Sequence, residues 1–92
     1  MRRRSLAAFT VNPMQSNLHN TRVYYLSGMN HLIEIAWENR WSSVDATREA
    51  KAPHAAPGSA LVSFNRRDGH IEPRIYYLDA TNHLIEIAWA GT

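Results

Sequence analysis

The apolar residues of this chain fall in short, nearly unbroken runs separated by polar tracts or by tracts containing Gly and Pro. The clearest pair is "RVYYL" (Arg22–Leu26) and "HLIEIAW" (His31–Trp37), with the polar tract "SGMN" between them. Runs this rich in β-branched and aromatic residues, joined by three to five turn residues, predict a β-hairpin. The same pattern returns fifty-two residues later at Arg74–Trp89, and an ungapped alignment of the two stretches gives 12 identities in 16 positions. Val23/Ile75 is a conservative change; the other differences, Ser27/Asp79, Gly28/Ala80 and Met29/Thr81, sit together where a turn tolerates variation.

Another short apolar run precedes each hairpin, Leu6–Phe9 in the first copy and Leu61–Phe64 in the second. Trp41 and Val44 mark a short fourth strand after the first hairpin. Lys51 to Ser59, with Pro53, Pro57 and Gly58, resists both helix and ladder and reads as a connector. "VDATREAKA" has helix-friendly composition but no apolar stripe, so it is expected to be loop. The expected fold is all-β: a four-strand unit with its linker over residues 1–58, then three strands of a second, incomplete unit over 59–92, within one structural domain.

A period near fifty with four short antiparallel strands per unit is the pattern of β-propeller blades, about two per chain. "VYYL" and "LIEIAW" are almost continuously apolar, as expected when both faces of a sheet are covered. Two blades cannot close a ring, so closure is expected from oligomerisation or from a longer parent chain.

Composition narrows the function classes. Lys+Arg 10 against Asp+Glu 8 leaves a formal charge of +2, which implies no nucleic-acid partner. The absence of cysteine excludes disulfides and thiolate chemistry and leaves the compartment open, exported or cytoplasmic. "MRRRSLAAFTV" has a positive start but too short an apolar run for a signal peptide, and Arg2, Arg3 and Arg4 read as a solvated end. No apolar stretch reaches 18 residues, so membrane insertion is not expected.

Four polar residue types recur with the strands: Arg22/Arg74, Asn30/Asn82, His31/His83 and Glu34/Glu86. A register pairing Arg22 or Tyr24 with Glu34 puts Arg22 and Glu34 on one face; a one-residue slip separates them. Such a pair serves equally as a structural salt bridge between blades. It is accompanied, however, by Trp37, Trp41 and Trp89. A guanidinium that donates to ring and hydroxyl oxygens, a carboxylate that accepts from hydroxyls and an indole that covers a C–H face together suit a sugar. His31 and His83 read as turn or packing residues because no third ligand repeats with them, so no metal is assigned, and His19, His54 and His70 are scattered. No G-x-S-x-G, P-loop or H-E-x-x-H occurs, and neither a catalytic residue nor a cofactor is expected.

"RVYYL…HLIEIAW…W" resembles the blade motif of the fucose-binding β-propeller lectins of fungi and bacteria, in which "R-V-Y" is followed by "I-x-E-x-x-W/Y" and a nearby second Trp. "KAPHAAPGSAL" is similar to the Ala/Pro/Gly-rich linker of related bacterial propeller lectins. The resemblance covers residues 22–41 and 74–89, more weakly 5–11 and 59–65. It implies a lectin rather than an enzyme, with fucose or a related monosaccharide held between adjacent blades. It further implies one cleft of Arg22 and Glu34 with Trp89, and another of Arg74 and Glu86 with Trp37 and Trp41 from a neighbouring chain. Two-blade bacterial members assemble as trimers, so the resemblance favours a homotrimer that binds fucosylated or related glycans.

One departure stands out. Trp89 is followed by "AGT", so nothing matches Trp41, and the second blade lacks a last strand unless another segment, such as Ser5–Val11, supplies it. Two other readings remain open: a structural or protein-binding propeller segment, and a propeller glycosidase using a pair from Glu34, Glu86, Asp45 and Asp79.

Overall fold

The computed structural model describes residues 6–11, 20–66 and 71–89. Arg2–Arg4, His19, His70 and the closing Ala90, Gly91 and Thr92 lie outside the described residues. Among the described residues, seven strands form two antiparallel sheets. The first has the order β1 (Leu6–Val11), β2 (Asn20–Leu26), β3 (Leu32–Trp37), β4 (Trp41–Asp45), and the second the order β5 (Val62–Asn65), β6 (Pro73–Leu78), β7 (Leu84–Ala88). The expected division into four strands and then three is the one observed.

Both hairpins share a register. Tyr24 pairs with Glu34 and Leu26 with Leu32, as Tyr76 pairs with Glu86 and Leu78 with Leu84. Each turn is closed by its first residue. Ser27 Oγ accepts from the Met29 and His31 amides at 3.2 Å each, and Asp79 Oδ1 accepts from the Thr81 and His83 amides at 2.9 Å each. Asn30 (φ 61) and Asn82 (φ 64) take the left-handed conformation these loops require.

The tract expected as loop carries a short helix, α1 (Ala46–Ala50). Its signals are caps rather than a stripe. Asp45 Oδ1 accepts from the Arg48 amide at 3.0 Å, and Lys51 (φ 53) ends the helix with amide bonds from Lys51 to Arg48 O and from Ala52 to Thr47 O. Buried Ala46 and Thr47 anchor it, with Thr47 Oγ1 accepting from the Leu32 amide at 2.7 Å. A second correction concerns β1. The run offered as a closing strand for the second sheet pairs instead with β2, Ala7 opposite Tyr24 and Thr10 opposite Thr21.

Side chains alternate faces along a strand, so the register sorts each sheet into two faces. Arg22, Tyr24, Leu26, Leu32, Glu34 and Ala36 share one face of the first sheet; Ile75, Tyr77, Ile85 and Ile87 lie on the opposite kind of face of the second, and Trp89, just past β7, packs against the same core. These two faces meet. The core is Tyr24, Leu32, Ala46, Ala55, Ile75, Tyr77 and Ile87, with Leu26, Ala52, Leu61, Ile85 and Trp89 packed around it. Complete burial of Leu32 and Ile75 contributes about 1.5–3 kcal/mol each relative to exposure.

The connector runs along one end of both sheets and stitches them together. The Ala55 amide donates to Asn30 O at 3.0 Å, the Ala56 amide to Leu78 O at 2.8 Å, and the Tyr77 hydroxyl to Pro53 O at 2.6 Å. Ser59 Oγ accepts from the Leu78 amide at 3.0 Å. Among the described residues no helix is long and apolar enough to cross a membrane.

Candidate functional site

Arg22 lies on β2 opposite Ala36 and one alternation away from the Tyr24–Glu34 pair, so its guanidinium and the Glu34 carboxylate project from one face. The Tyr24 hydroxyl donates to Glu34 Oε2 at 2.7 Å, and Arg22 Nε stands 4.0 Å from the same oxygen. Arg22 Nη2 donates to Glu38 Oε1 at 2.6 Å, and the residue is only 5% exposed. A buried guanidinium held by two carboxylates is the arrangement in which a charge can leave water without an uncompensated cost.

Trp89 reaches this cluster from the second sheet. Its ring lies 6.3 Å from that of Tyr24 with the planes tilted by 38°. Indole, phenol, carboxylate and guanidinium therefore form a continuous chain across the junction of the sheets. Burial, with the Glu34 carboxylate beside it, pushes the Tyr24 phenol far above its usual range, and Arg22 offsets this only in part. The phenol remains a donor and Glu34 an acceptor.

No protein-family model matches this chain, and no curated protein matches its sequence.

The second copy repeats the side chains in a different setting. The Tyr76 hydroxyl donates to Glu86 Oε2, and that hydrogen bond, followed by burial and the Glu86 charge, raises the phenol. Arg74 Nη1 donates to Trp89 O at 2.7 Å and Pro73 O at 2.9 Å rather than to a carboxylate corresponding to Glu38, whose position in the repeat is taken by Ala90. This face points away from the first sheet and also carries Phe64, stacked on Tyr76 at 5.9 Å, and the exposed Val62, Leu78 and Leu84.

Trp37 and Trp41 pack on each other, centroids 5.2 Å apart, on the other side of the first sheet from Arg22 and Glu34. They are 37% and 57% exposed. Within the chain, then, Arg22 and Glu34 are joined to Trp89 through Tyr24, while Arg74 with Glu86 and Trp37 with Trp41 occupy the two outward faces. Asp45 and Asp79, weighed with the glutamates for acid–base work, have structural duties. Asp45 caps α1 and receives His31 Nδ1 at 2.7 Å, and Asp79 closes its turn. Burial pulls the Asp45 carboxyl upward, but the Arg48 amide and His31 outweigh it and hold it below the usual range; the His83 amide does the same for Asp79 against burial.

Sequence reasoning missed Tyr24, Tyr76 and Glu38 as members of these clusters. The tyrosines were visible as repeated letters in a position opposite the glutamates, whereas Glu38 has no counterpart and gives no repeat signal.

Proposed function

We propose that this chain is a carbohydrate-binding lectin whose sheets are propeller blades, with fucose or a related monosaccharide bound between adjacent blades. The observation that carries the reading is the meeting of Trp89 from one sheet with the Tyr24–Glu34–Arg22 cluster of the other. An indole beside a hydrogen-bond acceptor and a guanidinium supplies the apolar cover and polar anchors a pyranose needs. No catalytic role is assigned. Glu34 and Glu86 stand on different sheets, each bonded to its own tyrosine, and neither cluster brings together the two free carboxyls that glycoside hydrolysis requires.

The ring is closed by oligomerisation, a homotrimer being favoured, or by a longer parent chain. Support comes from the outward faces. Val23, Tyr25, Ile33, Ile35 and Trp37 are the first-repeat counterparts of the second-sheet residues already packed inside the chain, and the Arg74–Glu86 face is the counterpart of the Arg22–Glu34 face they pack against. Stacking one outward face on the other in the next copy reproduces the internal junction and brings Trp37 and Trp41 to Arg74 and Glu86.

Isothermal titration with L-fucose and common hexoses tests the proposal. It predicts saturable heat that disappears with Glu34→Gln, and absence of heat with every sugar overturns it. One observation favours a second reading, a structural or protein-interaction segment: Arg22 is almost wholly buried and already bonded to Glu38. Under that reading Glu34→Gln lowers stability and no glycan binds.

A further inference from the structure

His31 and His54 come from different parts of the chain, one from the first hairpin loop and the other from the connector, and neither takes part in the inter-sheet cluster. His31 Nδ1 lies 2.7 Å from Asp45 Oδ2, so the carboxylate accepts the Nδ1–H hydrogen bond and the His31 Nε2 lone pair faces outward. Facing it at 3.2 Å is Nε2 of His54, with the ring centroids 4.4 Å apart and the planes 66° from parallel. Two ring nitrogens on one tetrahedral zinc ion, at about 2.0–2.1 Å each, stand roughly 3.3 Å apart. Asp45 is itself fixed, because its other oxygen caps α1. His31 is half-buried and oriented, whereas His54 is exposed.

We propose that His31 and His54 form a two-nitrogen binding site for a borderline divalent transition ion such as Zn²⁺, with Asp45 orienting His31 from behind. In the ion-free state the two Nε2 atoms are in hydrogen-bond contact, and the cation lies between them. Among the described residues no group of three or more His, Cys, Asp or Glu could hold a metal, so water completes the coordination and the site is an open chelate rather than a closed structural centre. Its mechanical effect is local. The connector already bonds to the first hairpin through Ala55 N and Asn30 O, and an ion on His54 adds a second tie one residue away. The repeat gives no hint of this site, because His83 bonds within its own loop, with Nδ1 2.7 Å from Thr81 Oγ1.

Titration of ZnCl₂ into the full chain, paired with thermal melts with and without EDTA, tests the proposal. Wild type is expected to bind one Zn²⁺ per chain and to gain several degrees in midpoint at saturation, reversed by EDTA. His54→Ala removes an exposed side chain and is expected to weaken binding at least tenfold, while His83→Ala and the double substitution His19→Ala/His70→Ala leave it intact. Absence of Zn²⁺ binding by wild type overturns the proposal. So does a smaller loss in His54→Ala, or loss of binding in either control.

Discussion

Asn30 and Asn82 sit at φ near +60° in the two hairpin loops, a region that costs most L-residues roughly 1–2 kcal/mol. Their recurrence is therefore a matter of backbone shape rather than ligand chemistry. Asn82→Gly is expected to leave the midpoint of chemical unfolding nearly unchanged, and Asn82→Val to cost about 1–2 kcal/mol. Asp79 carries a pH signature as well. Its carboxyl is held below the usual range in the fold, so its stabilising effect is present above the unfolded value and is lost as pH falls through the folded one. Thermal melts between pH 5 and pH 2 should fall less steeply for Asp79→Asn, which keeps an oxygen for the Thr81 and His83 amides but has no proton to gain. Arg22, Glu34 and Trp89 were legible as site candidates because each combines repetition with a chemistry that strands do not need. Glu38 and His54 were not, since their roles arise from contacts that only the folded chain creates.

At the scale of elements, the hairpins were legible and their register only half so. Two pairings kept Arg22 and Glu34 on one face and a slip separated them; the five-residue loop closed by Ser27 or Asp79 selects Tyr24 opposite Glu34. The helix α1 escaped a search for apolar periodicity because five residues bury only Ala46 and Thr47 and depend on end caps. Thr47→Val deletes the acceptor of the Leu32 amide and strands that buried donor. The expected cost is about 1–3 kcal/mol by denaturant unfolding, with both sheets retained by circular dichroism.

At the scale of the molecule, the two sheets pack by unlike faces, and such packing leaves one face of each kind unpaired. Trp41 and Tyr25 are exposed on one side, Phe64, Val62 and Leu84 on the other. The near-continuous apolar runs call for cover on both faces, which two sheets packed on each other supply to only one face each. The proposed assembly predicts that native mass spectrometry finds a multiple of the 10.5 kDa chain, three copies being favoured. Trp41→Glu and Leu84→Glu, at opposite outward faces, should each yield monomers that remain folded. A wild-type monomer would leave those faces without the proposed occupant.

The lectin reading stands or falls on sugar recognition by the cluster that joins the sheets. The most direct measurement is glycan-array binding by the wild-type chain beside Glu34→Gln and Trp89→Leu, each checked for retained β-sheet circular dichroism. The account predicts wild-type signal on fucosylated or related glycans and its loss in both variants. Silence of the wild type across the array, or undiminished binding by the folded variants, would contradict it.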